Sequence, residues 1–205
     1  MDHASVSEAA EHPVEETTTG LSHLKVVIWA FLGSECMFFG SLIATYLVYQ
    51  DRNVIGPFPE EILDIPTTSV STFVLLMSSL MMVLALAAIQ RGDQRGGRIW
   101  LVATALLGST FLGFQVFEFT EFVREGLTLS RNLFGSTFFT LTGFHGGHVT
   151  VGVIWLLSLV GYSLRHGLTQ KDSLKVEIAG LYWHFVDVVW IVIFTVVYLI
   201  GGLEI

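Results

Sequence analysis

Glu35, Gln115, Glu118, His145, His148, Glu177, His184 and Asp187 all stand inside or at the edge of long apolar runs. Side chains of these types relay protons, hold a metal or bind a neighbour by hydrogen bonds, and a charged group near the centre of a bilayer costs roughly 3 kcal/mol. Glu35 falls about ten residues into its run, which by helical rise places it roughly 15 Å deep. Gly33-Ser34 and Cys36-Met37-Phe38-Phe39-Gly40 flank it, and the small residues allow close helix packing. Two readings of Glu35 stay open: a protonated acid that donates a hydrogen bond to a neighbouring helix, or a proton-handling group. Gln115 and Glu118, three apart, share a helix face. Gln115 suits an interhelical hydrogen bond, whereas Glu121, nearer the helix end, is expected to reach water. His145 and His148 share a face too, with Gly143 and Gly147 as a small-xxx-small pair that would admit another backbone. Two histidines at that spacing make a weak metal site without a third facing ligand, so hydrogen-bonded core histidines are the favoured reading. Glu177 and His184 are seven apart and nearly eclipsed, with Asp187 on an adjoining face. That stripe is expected to anchor lipid headgroups or a neighbouring subunit at Glu177 and to form an internal His184–Asp187 pair deeper in. Trp183, like Tyr182, Trp29 and Tyr198, suits an interfacial belt or packing as well as it suits a ligand contact.

Apolar spans must position these groups. The chain has 205 residues, 52% hydrophobic and 14% charged, with a mean hydropathy of +0.66, outside the usual range of a soluble domain. Five apolar runs, at about 25–49, 68–90, 97–122, 136–164 and 178–202, each reach the roughly 20 residues that cross the hydrocarbon. Runs such as Phe73-Val74-Leu75-Leu76-Met77 do not alternate as barrel strands do. The fold class is therefore an all-α membrane protein, a bundle of five transmembrane helices over residues 25–205. Residues 1–24, with Asp2, Glu8, Glu11, Glu15 and Glu16, read as a solvated, partly disordered acidic tail without the basic segment of a secretory signal.

Charge sets the orientation. One side of a five-span topology holds Lys25, Arg91, Arg95, Arg98, Arg165, Lys171 and Lys175, and the other only Arg52, Arg124 and Arg131. The positive-inside rule then puts the N-terminus in the cytoplasm and the C-terminus outside. A net charge of −8 argues against nucleic acid as a partner. Cys36 is the single cysteine, which removes an internal disulfide, a dithiol copper site and a Cys-x-x-Cys haem attachment.

Two motifs, Thr142-Gly143-Phe144-His145-Gly146-Gly147-His148-Val149 and Glu177-x(4)-Tyr182-Trp183-His184-Phe185-Val186-Asp187-Val188-Val189-Trp190, resemble one family: subunit III of the haem-copper respiratory oxidases. Leu32 to Phe39 is similar to the family segment that holds its carbodiimide-reactive glutamate, and Gly113 to Phe119 to its Gly-x-Gln-x-x-Glu-aromatic segment. The likeness covers the chain after the tail and matches the five-helix bacterial form, which starts at the third helix of the longer form. Gly147 departs from the larger apolar residue often found between the two histidines. Lipid sites built by the two missing helices do not carry over.

The resemblance implies a bacterial plasma-membrane subunit that packs on the catalytic subunit I, near subunit II and a small subunit IV, in a complex that reduces oxygen and pumps protons. Three membrane histidines are too few for two haems and a copper, and one cysteine is too few for a binuclear copper centre. Haem and copper are accordingly expected in partner subunits and none in this chain, with phospholipid bound to it. Glu35 is the first choice of functional acid. The family's proposed roles are lipid holding, oxygen access, sustained proton uptake and protection during turnover. Relatives in quinol oxidases and nitric-oxide reductases share these motifs. From other classes come a small proton or metal transporter working through Glu35, His145, His148, His184 and Asp187, and a cytochrome with His145, His148 or His184 as axial ligands.

Overall fold

The computed structural model describes residues 20, 22–52 and 55–201. Most of the acidic tail and the last four residues lie outside this set. Five helices are long and apolar enough to cross a membrane. They are α1 (His23–Tyr49), α3 (Ile65–Gln90), α4 (Gln94–Arg124), α5 (Leu133–His166) and α6 (Ser173–Phe194), the last continued by a π-helical stretch over Thr195–Ile200. A single turn, α2 (Pro59–Ile62), lies in the first loop, and the described residues include no strand.

The helices begin earlier than the apolar runs. The first backbone N–H groups of a helix lack partners within it, and a polar cap outside the hydrocarbon supplies them. Asp64 caps α3 at Thr67, Asp93 caps α4 through Gly96 N at 2.9 Å, and Asn132 caps α5 through Gly135 N at 2.7 Å. Asn132 Nδ2 also donates to the carbonyls of Ile55 and Pro57, tying the first loop to the head of α5. α1 starts at His23, so His23 and Leu24, assigned to the tail from composition, are helical. Gly126 and Gly167 end α4 and α5 at φ of 88° and 76°, values that side-chain-bearing residues rarely adopt.

α6 holds the bundle together, packing on α3, α5 and α1, while α3 lies along α4 and α4 along α5. The tightest point is Trp183. A Cβ on Gly108 of α4 or on Gly152 of α5 would collide with its indole ring, so both glycines are required for the ring to fit. α1 is different. Its buried residues are Ile28, Leu32, Phe39 and Tyr46, one narrow stripe along 27 residues.

Candidate functional site

α1 and α5 diverge around a cleft of about 1160 Å³ lined by Val27, Phe31, Phe139, Phe144, Val151 and Trp155 among others. Glu35 from α1 and His148 from α5 meet on its wall, Nε2 to Oε2 at 3.1 Å, with side chains 17% and 21% exposed. His148 Nδ1 lies 2.8 Å from the Phe144 carbonyl, one turn back. A carbonyl oxygen only accepts, so Nδ1 carries a hydrogen. The 3.1 Å contact then needs one further proton between Nε2 and the carboxyl. The pair is carboxylate with imidazolium, or carboxylic acid with neutral imidazole, and either way it carries no net charge. That suits a wall that faces hydrocarbon, where an unmatched charge would be expensive. Tyr182 of α6 donates to the His148 carbonyl at 3.0 Å, so three helices converge here.

Gly143 and Gly147 line this cleft, with open space where a side chain would project from either. The small pair thus leaves open space instead of admitting a helix backbone. Sequence spacing shows that two residues share a face but not what that face meets.

His145 is fully buried on the other side of α5. Its ring stacks on Trp190 at 4.9 Å, with Phe39 and Phe111 edge-on. Neither ring nitrogen has a hydrogen-bond partner, which corrects the expectation of a hydrogen-bonded core histidine. Aromatic rings occupy the positions where polar partners were expected.

Gln115 fulfils its expected role, donating from Nε2 to the Thr142 carbonyl of α5 at 2.8 Å. Glu118, buried a turn further out, accepts from the Thr68 hydroxyl of α3. Glu121 is partly exposed and paired with Arg124 at 2.5 Å.

On α6 two expectations change. Glu177 forms an ion pair with Lys25 at 2.7 Å, tying α6 to the start of α1 where a lipid or subunit anchor was expected. His184 and Asp187 do not pair. Residues three apart on a helix diverge by about 60° in azimuth, and Ser79 of α3 takes the histidine, Oγ to Nδ1 at 2.6 Å. Asp187 is buried with neither oxygen hydrogen-bonded. Trp183 is a core residue, donating from Nε1 to Ser78 Oγ at 2.9 Å, and Trp190 does the same to Thr72 Oγ1. Among the described residues no three His, Cys, Asp or Glu side chains converge to hold a metal.

Sequence reading missed the polar edge of α3, where Thr68, Thr72, Ser78 and Ser79 each take a side chain of α4 or α6. Their recurrence along one side of a hydrophobic run was the available signal. Hydroxyls in helices so often bond their own carbonyls that the signal is faint.

Residues 5–202 match the family described as Cytochrome c oxidase subunit III. The chain belongs to that family. Similar relatives of this oxidase subunit III carry two kinds of name. Quinol oxidase subunit 3 of Bacillus subtilis (strain 168) is 40% identical over 201 residues, covering 98% of both chains. Cytochrome c oxidase subunit 3 of Bacillus sp. (strain PS3) is 44% identical over 173 residues, covering 84% of both. Cytochrome bo(3) ubiquinol oxidase subunit 3 of Pseudomonas aeruginosa is 40% identical over 175 residues, covering 85% of this chain and 84% of that one. The chain is a multi-pass membrane subunit III of a haem-copper oxidase complex.

Proposed function

We propose that this chain is the accessory subunit III of a proton-pumping terminal oxidase in a bacterial plasma membrane, with no redox centre of its own. It packs on subunit I beside subunit II and a small subunit IV, with its N-terminus in the cytoplasm. The haems and copper belong to the partner subunits. The observation that carries the reading is the Glu35–His148 pair on a cleft walled mostly by apolar and aromatic side chains. Such a cleft takes phospholipid acyl chains, and apolar channels of this kind also favour oxygen, an apolar solute. Glu35, with a proton shared between it and His148, is the group through which the subunit would support proton uptake during sustained turnover.

Cytochrome c is the electron donor on this reading. A quinol is the second reading, favoured by the alignment of quinol oxidase subunits 3 over 98% of this chain. The test is to tag the chain in its native membrane, solubilise it gently, and record the absorption spectrum and oxygen uptake with reduced cytochrome c and then with a quinol. Copurifying haem with oxygen uptake is expected, and the active donor names the oxidase. A colourless preparation that moves protons or metal ions when reconstituted alone in liposomes would overturn the reading in favour of a transporter.

A further inference from the structure

The described acids and histidines at membrane depth fall into three groups. Glu118, His145 and Asp187 are sealed in the core, and Glu35 and His148 satisfy one another at the cleft. His184 fits neither group. It is only partly buried, Nδ1 is taken by Ser79, and Nε2 has no hydrogen bond to any described residue. By helical rise His184 lies about 17 Å from the start of α6, close to mid-membrane. Its surroundings on that face are apolar and outward. Val188 and Ile191, one and two turns along α6, are 58% and 42% exposed, and Leu76 and Val83, one turn either side of Ser79 on α3, are 40% and 51% exposed.

Exposed hydroxyls elsewhere on the bundle differ in kind. Ser34, Ser41, Thr110, Thr120 and Thr137 each bond a carbonyl three or four residues back, so they face hydrocarbon without an unmet hydrogen bond. An imidazole has two nitrogens and cannot turn the second back on its own helix once the first is held by Ser79. Acyl chains offer no partner at that depth, headgroups lie near the interface, and water is absent from the hydrocarbon. A group that matches Nε2 must therefore come from protein.

We infer that the α3–α6 face around His184 seats a membrane-spanning helix of a partner subunit, which carries a hydrogen-bonding side chain at mid-membrane depth opposite His184 Nε2. The assignment rests on the oxidase-subunit reading above and adds which face of the chain is covered. Leu76, Val83, Val188 and Ile191 supply the apolar contact, and His184 fixes register, as a single polar residue in an apolar helix interface does.

The test uses the whole complex from native membranes. The photoreactive residue p-benzoylphenylalanine replaces either Val188 or Val116, the latter 66% exposed on α4, and haem content is recorded alongside crosslinking. The expected result is a protein adduct from position 188. In parallel, His184→Phe is expected to lower the haem retained by the tagged chain in a detergent titration about three- to tenfold, the range of one interhelical hydrogen bond. Ser79→Ala, which removes the internal partner of His184, is expected to keep retention within about twofold. A complex that keeps its haem, forms no protein adduct at 188 and forms one at 116 overturns the assignment of the face and leaves the subunit reading standing. A preparation of the unsubstituted chain without haem overturns both.

Discussion

The two sides of this bundle are built to different standards. Where α6 packs against α3, α4 and the inner face of α5, Trp183 is clamped between two glycines and hydrogen-bonded to Ser78, and Trp190 is held by Thr72 and stacked on His145. On the α1–α5 side, α1 touches the rest along a single stripe, with Glu35–His148 and Lys25–Glu177 among its polar ties. Helix association in a membrane gains little from burying apolar surface, since lipid is as apolar as leucine, so close packing and interhelical hydrogen bonds decide which contacts last. The clamped side is therefore the scaffold. The loosely held side, where an acid and a histidine meet on an open cleft, is where the proposed function puts lipid, oxygen and proton access.

The contrast is broken most directly at the glycines. Gly108→Val or Gly152→Val sets a side chain into the Trp183 ring, and overpacking of this kind costs about 1–3 kcal/mol or more. The chain is expected to fall out of the complex, measured as loss of the tagged subunit from haem-containing fractions. Gly147→Val, facing open space on the cleft, is expected to leave assembly intact and to reduce copurified phospholipid, measured by mass spectrometry of the extracted lipids.

Trp183→Ala removes the ring that the two glycines enclose. Large core aromatics cost about 3–5 kcal/mol on truncation to alanine, so the melting temperature of the complex is expected to fall sharply. Trp183→Phe loses the donor to Ser78 as well as part of the ring, and a fall between wild type and alanine is expected in the same melt.

How much of this contrast is legible in the sequence differs between the spans and the contacts. Five spans follow from hydrophobicity, a bulk property that composition reports directly. Their starts do not, because Asp64, Asp93 and Asn132 belong to the helices as caps while reading as loop residues. Glu35 and His148 stood out singly as polar groups in apolar runs, yet their meeting depends on how α1 leans on α5. Glu177 with Lys25, and His184 with Ser79, are of the same kind, since periodicity names the face of a helix and tertiary packing chooses its partner.

The cleft pair sharpens the comparison at a smaller scale. His148→Phe leaves the Glu35 carboxyl without its partner, and a cost of about 1–2 kcal/mol is expected. The double variant Glu35→Leu with His148→Phe is expected to recover most of that loss, because an apolar pair leaves nothing unmatched. A double-mutant cycle on thermal stability reads the coupling, and additive losses would mean that the two side chains act independently.

The smallest effect belongs to the partly exposed Lys25–Glu177 tie, with side chains 28% and 32% exposed. Lys25→Ala is expected to cost no more than about 1 kcal/mol and to shrink further in salt, as surface ion pairs do. A melt at low and high ionic strength measures it.

The division between a scaffold side and a working side is tested most directly by Glu35→Ala in the intact oxidase, with haem content and the full time course of oxygen consumption recorded on one preparation. An accessory role for the cleft predicts normal haem and a normal initial rate, followed by a decline in sustained turnover steeper than in the unsubstituted complex. Loss of activity on the first turnovers at normal haem content would contradict it, because Glu35 would then be needed for the reaction itself.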